Sequence, residues 1–253
     1  MVKRILRLTI ASVVVAVACM VAFGVEGLAT PSTEFWTPCI LDVQAPGVAH
    51  LTYDTYSSHR GDFSTDLGLT YGVRLSKQVN AEVGFDWLSR VQYPIYLDAK
   101  IGVSENVLSK GAPGFSVGIF NAGTKKSDAA AGIVGTNQDV VDLIVGKTVA
   151  KNLRVHAGYY RGNKTLLVSS TGSKQNDGLM FAFDYGFKPT KEGYNKYSVI
   201  GDYMSGKNVL GGGGIGFGYA ISPKAGIITG PVWFNDQGLN GKVKLTMQLD
   251  INF

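Results

Sequence analysis

The sequence predicts an all-β chain, a transmembrane antiparallel β-barrel of about twelve strands. Three observations lead there. From Lys242 to Phe253 the residues alternate without a break: Val243, Leu245, Met247, Leu249, Ile251 and Phe253 are apolar, and the residues between them are polar. A strand of that pattern has one greasy and one wet face, and its length suits a tilted bilayer-crossing strand of roughly 9–11 residues. Beyond the N-terminal region no run of about 18 apolar residues could form a membrane helix. Composition is the third: only 17% of residues are charged and 33 of 253 are glycine, against roughly a quarter and 7% in ordinary soluble domains. Disorder is excluded by the 45% hydrophobic content.

Taken in order, the chain opens on a basic patch, Lys3, Arg4 and Arg7, followed by an uncharged run from Leu8 to Val25. Small residues at Gly27 and Ala29 complete an export signal cleaved after residue 29. Removing residues 1–29 takes away three bases and one acid (Glu26), so the formal net charge falls from +5 to +3. That small excess, with no basic cluster among stacking aromatics, excludes a nucleic-acid partner. Cys39 is then the only cysteine left, so no intrachain disulfide forms. Residues 30–46 carry Trp36, Pro38, Cys39 and Pro46 and are too irregular for a strand. They are expected to be either a periplasmic tether or a segment inside the lumen.

Residues 47–253 are expected to form the barrel. Alternation recurs at Leu67–Leu75, Ala81–Trp87, Ile95–Val103, Leu153–Tyr160, Leu179–Gly186 and Gly214–Ile221. Weaker strands fall near 48–56, 113–122, 139–148, 197–204 and 225–234. The stretch Asn208–Pro223 holds six glycines, each of which costs a helix interior about 1 kcal/mol, so it reads as strand. Short connections (Ser76–Asn80, Val149–Asn152, Ser222–Lys224) alternate with long polar ones (Ser57–Ser64, Ala122–Gln138, Asn163–Asn176), as short periplasmic turns and long outer loops do. A secreted β-sandwich also alternates. It gives no reason for Tyr71, Trp87, Tyr159, Tyr185, Tyr219, Trp233 and Phe253 to gather toward strand ends, where aromatic girdles sit.

With these features the chain resembles outer-membrane β-barrel proteins of Gram-negative bacteria. In detail it looks like an uncharacterised group that begins its mature chain at Thr30-Pro31-Ser32-Thr33 and ends in Asp250-Ile251-Asn252-Phe253. Ala81–Asp86 and Asn176-Asp177-Gly178 also match. The resemblance implies localisation in the bacterial outer membrane, contact with its lipid, and recognition by barrel-assembly machinery through Leu249, Ile251 and Phe253. It implies no activity.

Chemistry is sparse. His50, His59 and His156 stand singly, with none of the spacings that build a metal site, and neither a cofactor nor a metal is expected. Gly146-Lys147-Thr148 lacks the leading glycine of a phosphate loop, and Gly211-x-Gly213-x-x-Gly216 lies within a strand. Arg60-Gly61-Asp62 reads as a solvated turn. No serine shares the face of His156, which argues against an outer-membrane lipid hydrolase, and the chain reads as no enzyme.

The informative set is the inward charge. The register turns Asp54, Glu82, Asp86, Asp98, Asp142, Asp184, Asp202 and Asp250 toward the lumen, opposed by Arg74, Lys100, Arg154 and Lys244. Such a wall suits a small-solute channel that leans toward cations. The rival is a closed structural or adhesive barrel that displays its loops, in which the same charges form internal ion pairs. Inward glycines (Gly68, Gly72, Gly84, Gly102, Gly158, Gly214, Gly216, Gly218) either widen a pore or admit residues 30–46.

Overall fold

The computed structural model describes residues 33–58 and 63–253. The signal sequence, the first three residues of the mature start, His59 and Arg60-Gly61-Asp62 lie outside the described residues.

The barrel strands follow one another in order. The first six are β1 (Ala49–Ser57), β2 (Phe63–Arg74), β3 (Asn80–Leu88), β4 (Ile95–Val103), β5 (Gly114–Gly123) and β6 (Val140–Ala150). The rest are β7 (Leu153–Arg161), β8 (Asp177–Pro189), β9 (Asn195–Met204), β10 (Gly212–Ser222), β11 (Ala225–Phe234) and β12 (Val243–Asn252). Each pairs antiparallel with its sequence neighbours, and β1 pairs with β12 (Tyr53 opposite Leu249, Ser57 opposite Leu245), so the sheet closes on itself without an edge. A four-residue helix α1 (Gln237–Asn240) lies in the last loop, capped by the Asp236 side chain.

The outer surface follows from the period-two pattern. Leu97, Leu179 and Met247 are each about half exposed on it (51%, 52% and 50%). So many exposed aliphatics would be a liability in water and are at home against lipid. Trp87, Tyr159 and Trp233 stand outward near the loop ends of their strands, and Tyr71, Tyr185 and Tyr219 toward the opposite ends. Connections on one rim include two-residue turns at 151–152 and 223–224, while the other rim carries loops spanning 124–139 and 162–176. Asn152 takes a left-handed φ of 60° in the first of these turns, a conformation asparagine adopts more readily than most residues.

The apolar interior is built around the N-terminal segment. One buried cluster packs Cys39 with Val140, Ile144, Tyr160, Met180 and Met204. A second packs Phe35 with Ile200, Ile228, Val232 and Phe234, with Trp36 and Tyr56 against it.

Candidate functional site: the occupied lumen

Residues 33–46 run through the barrel, held by inward side chains from most of its circumference. Asp202 on β9 is the first grip. Its Oδ2 accepts the backbone N–H groups of Phe35 (3.0 Å), Trp36 (2.8 Å) and Thr37 (2.7 Å). Three donors converging on one charged oxygen make a strong, directional anchor. Gln248 on β12 donates to the Phe35 carbonyl at 2.6 Å, and the Trp36 indole donates to the Leu210 carbonyl at 2.8 Å.

Further along, the Leu41 N–H donates to Nδ1 of His156 (3.2 Å), which leaves the other ring nitrogen to donate to Asp184 (3.1 Å). Arg154 bridges two acids. Its Nε faces Asp184, while Nη1 and Nη2 donate in parallel to Asp42 at 2.8 and 2.7 Å. Lys100 reaches the carbonyls of Ile40 and Asp42 and lies 3.8 Å from Glu82. Glu82 in turn accepts the Gln44 N–H at 2.6 Å. At the rim, Gly47 N–H donates to the Gly72 carbonyl and Gly72 N–H to the Val48 carbonyl, seating the chain beside β2 before it enters β1.

Steric fit matches the polar grips. A Cβ on Gly214 or Gly216 would meet the Phe35 ring at 2.5 or 2.6 Å, and one on Gly72 would collide with the Gln44 and Ala45 carbonyls. These bare positions on the wall are where another backbone or ring approaches.

The segment borders two chambers, whose linings share Asp250. One, of about 670 Å³, opens among the short turns and is lined by Arg154, Asp184, Tyr194, Lys224 and Asn252. The other, of about 230 Å³, extends beside the segment from Ser64 and Ser89 to His50 and Asp250 and is lined by Trp36, Asp54, Asp66, Asp86 and Asp98 among others.

The inward charges sort by what they touch. Glu82, Lys100, Arg154 and Asp202 contact the segment directly, and Asp184 acts through Arg154 and His156. Asp142 is buried and accepts the Gly118 N–H, while Asp250 pairs with His50 at 3.2 Å. Asp54 accepts from Thr52 and Tyr56, Asp98 from the Asn121 N–H, and the Asp86 carboxylate lies over Gly68. Lys244 places its ammonium over the Phe234 ring, and Arg74 stands exposed at the end of β2. At the seam Leu249 and Ile251 face Tyr53 and Leu51, and Phe253 exchanges two backbone hydrogen bonds with Ala49, each 2.9 Å.

Sequence reasoning missed Asp66, which lies in β2 just before the alternating run that starts at Leu67, and the segment's own acids Glu34 and Asp42. Glu34, His156 and Asp184 bring one ligand atom each within 4.8 Å of one another, the spacing of a metal site. Both nitrogens of His156 are committed to Leu41 and Asp184, so a metal would have to displace the segment's own hydrogen bond.

Solved structures similar to this one in fold include porins. The chain superposes on a structure described as KdgM porin with a TM-score of 0.51 at 10% identity, covering 81% of this chain and 98% of that one. This is a porin-like barrel. An outer membrane channel from Pseudomonas putida is also similar, with a TM-score of 0.47 at 11% identity over 84% of this chain and 98% of that one. No protein-family model matches the porin-like chain, and no curated protein matches it.

Proposed function

We propose that this porin-like barrel is an outer-membrane channel for small solutes, cation-leaning and narrowed by residues 33–46. The observation that carries the reading is the pair of chambers, about 670 and 230 Å³, that flank the segment inside one closed barrel and share Asp250 in their linings. A barrel of about twelve strands encloses more space than its own side chains fill. Here a foreign stretch of chain is recruited into that space.

Cation preference is supported by which charges remain. Of the lumenal bases, Lys100 and Arg154 are spent on Glu82, Asp42, Asp184 and backbone carbonyls, and Lys244 stands over the Phe234 ring. Asp54, Asp66, Asp86 and Asp98 form no ion pair with a lysine, arginine or histidine among the described residues. The ionised members of this row of carboxyl groups raise the local concentration of cations. Export through a cleaved signal, lipid contact along the apolar outer face, and assembly through Leu249, Ile251 and Phe253 complete the proposal.

Planar-bilayer recording of the purified protein tests it. Discrete conductance steps, with a reversal potential favouring potassium over chloride at low salt and relaxing at high salt as screening sets in, are expected. A fully inserted barrel that stays silent would mean a closed structural barrel, the reading that the two apolar clusters around Phe35 and Cys39 favour.

A further inference from the structure

The smaller chamber has two unlike walls. Asp54, Asp66, Asp86 and Asp98 project from four consecutive strands, β1 to β4. Facing them are apolar and aromatic side chains, Phe35 and Trp36 of the segment with Phe120, Met204 and Leu210, while the two lining bases are engaged elsewhere, Lys100 on Glu82 and the segment's carbonyls and Lys244 over the Phe234 ring. Two further observations show polar capacity the fold leaves unused. Thr70 and Asp250, each more than nine-tenths buried, are among the lining residues, and Thr70 Oγ1 and Asp250 Oδ2 have no hydrogen-bond partner. Asp66, half-buried, likewise has one oxygen without a partner. Buried polar atoms are normally satisfied, and each exception asks for an absent donor.

We infer that this chamber binds a linear aliphatic amine carrying two or more ammonium groups, with its methylene body on the Phe35–Trp36 side. The assignment deepens the channel reading and rests on it for the ligand's route, while binding itself is read at equilibrium. A single bare metal ion does not fit the carboxylates. Among the described residues the only three-ligand convergence is Glu34, His156 and Asp184, away from this wall. Neighbouring strands stand about 4.8 Å apart, so carboxyl groups on four of them are spread along the wall. A cation whose charges are also spread matches them, and ammonium groups supply the donors that Thr70 and Asp250 lack. The hydrocarbon between the charges gains from the apolar wall, and an ammonium beside the Trp36 indole gains from its π face. At about 230 Å³ the chamber is below the usual size for a drug-like ligand, about 300 Å³ and up, which suits a slender chain.

Isothermal titration of the full-length barrel in detergent with spermidine and with 1,5-diaminopentane tests the site. Saturable binding of about one amine per barrel is expected, with 1,5-pentanediol and magnesium chloride at equal ionic strength giving none. Asp66→Asn combined with Asp98→Asn should raise the spermidine Kd at least tenfold, in protein whose heat-modifiable migration is normal. No saturable amine binding, equal binding of the diol, or displacement of spermidine by equimolar magnesium would each overturn the assignment. So would an unchanged Kd in the folded double variant. If the variant does not fold, the diol and magnesium comparisons on the unaltered protein still decide. Conductance steps without amine binding would remove the site and leave the channel. Amine binding by a silent barrel would remove the channel and leave the site.

Discussion

Arg154 and Asp42 meet as a fork, Nη1 to Oδ1 at 2.8 Å and Nη2 to Oδ2 at 2.7 Å, and join strand β7 to a segment 112 residues earlier in the chain. The same guanidinium keeps Nε on Asp184, so wall and segment share one cation. Hydrogen bonds to charged groups contribute about 1.5–3 kcal/mol each. Asp42→Asn is therefore expected to loosen the segment without unfolding the barrel. Cys39, wholly buried behind it, reports the change. A loss of about 1.4 kcal/mol corresponds to a tenfold rise in its opening-limited labelling by maleimide. An unchanged labelling rate would show that the fork does not hold the segment.

Gly216→Val tests steric fit instead of charge. The added side chain needs the space of the Phe35 ring, while a β-branched residue suits the strand itself. The expected result is normal heat-modifiable migration with an exposed Cys39. A barrel that folds and still shields Cys39 would contradict the close approach of Phe35.

Leu97 and Asp98 are neighbours on opposite faces of β4. Leu97 is 51% exposed on the lipid side, and Asp98 accepts the Asn121 N–H inside. Leu97→Arg is expected to cost roughly 2–4 kcal/mol, as charges on a barrel's lipid face do. Asp98→Asn keeps an acceptor for that N–H and should cost far less. Urea unfolding in liposomes measures both, and equal costs would contradict the register.

At the seam, the two backbone hydrogen bonds between Phe253 and Ala49 close the ring. Deleting Phe253 is expected to leave exported protein in the periplasm, degraded and without heat-modifiable migration. Normal membrane fractionation of the deletion would refute a role for this residue in assembly.

Two outer loops are tied by Asp236, whose Oδ2 accepts the backbone N–H (2.8 Å) and hydroxyl (2.9 Å) of Ser170. The Ser170 N–H, then its hydroxyl, holds this carboxyl below the usual carboxylate range. A depressed pKa means that the tie is fully present above the ordinary value, about 3.9, and is lost as pH falls through the lower folded value. Hydrogen exchange in loop 162–176 is expected to stay slow at neutral pH and quicken only in acid. Asp236→Asn should raise the neutral-pH rate and flatten this dependence. An acid response that survives the substitution would place its cause elsewhere.

The strands were legible because their period is two and one solvent is lipid. Asp250 and Ile251 can be assigned to opposite faces from the alternation around them alone. Where alternation fails, so does legibility. Trp36 to Pro46 could be seen only as chain that is not strand, since the grips on it come from Asp202, His156 and Gln248, far away in sequence. The inward glycines hinted at it, because Gly214 and Gly216 leave a gap that Phe35 fills. Asp66 escaped because the alternation becomes regular only at Leu67, four positions after β2 begins at Phe63. Which acids are spent and which remain free depends on partners such as Asp42 and Gln44, and no periodicity encodes those.

The central claim is a solute channel narrowed from within. Deleting residues 33–45 and recording single channels beside the full-length protein tests it most directly. The account predicts a larger unit conductance in the deletion, with potassium preferred over chloride and a preference that fades as salt rises. A deletion barrel that inserts and folds but shows the full-length conductance, or none, would contradict it.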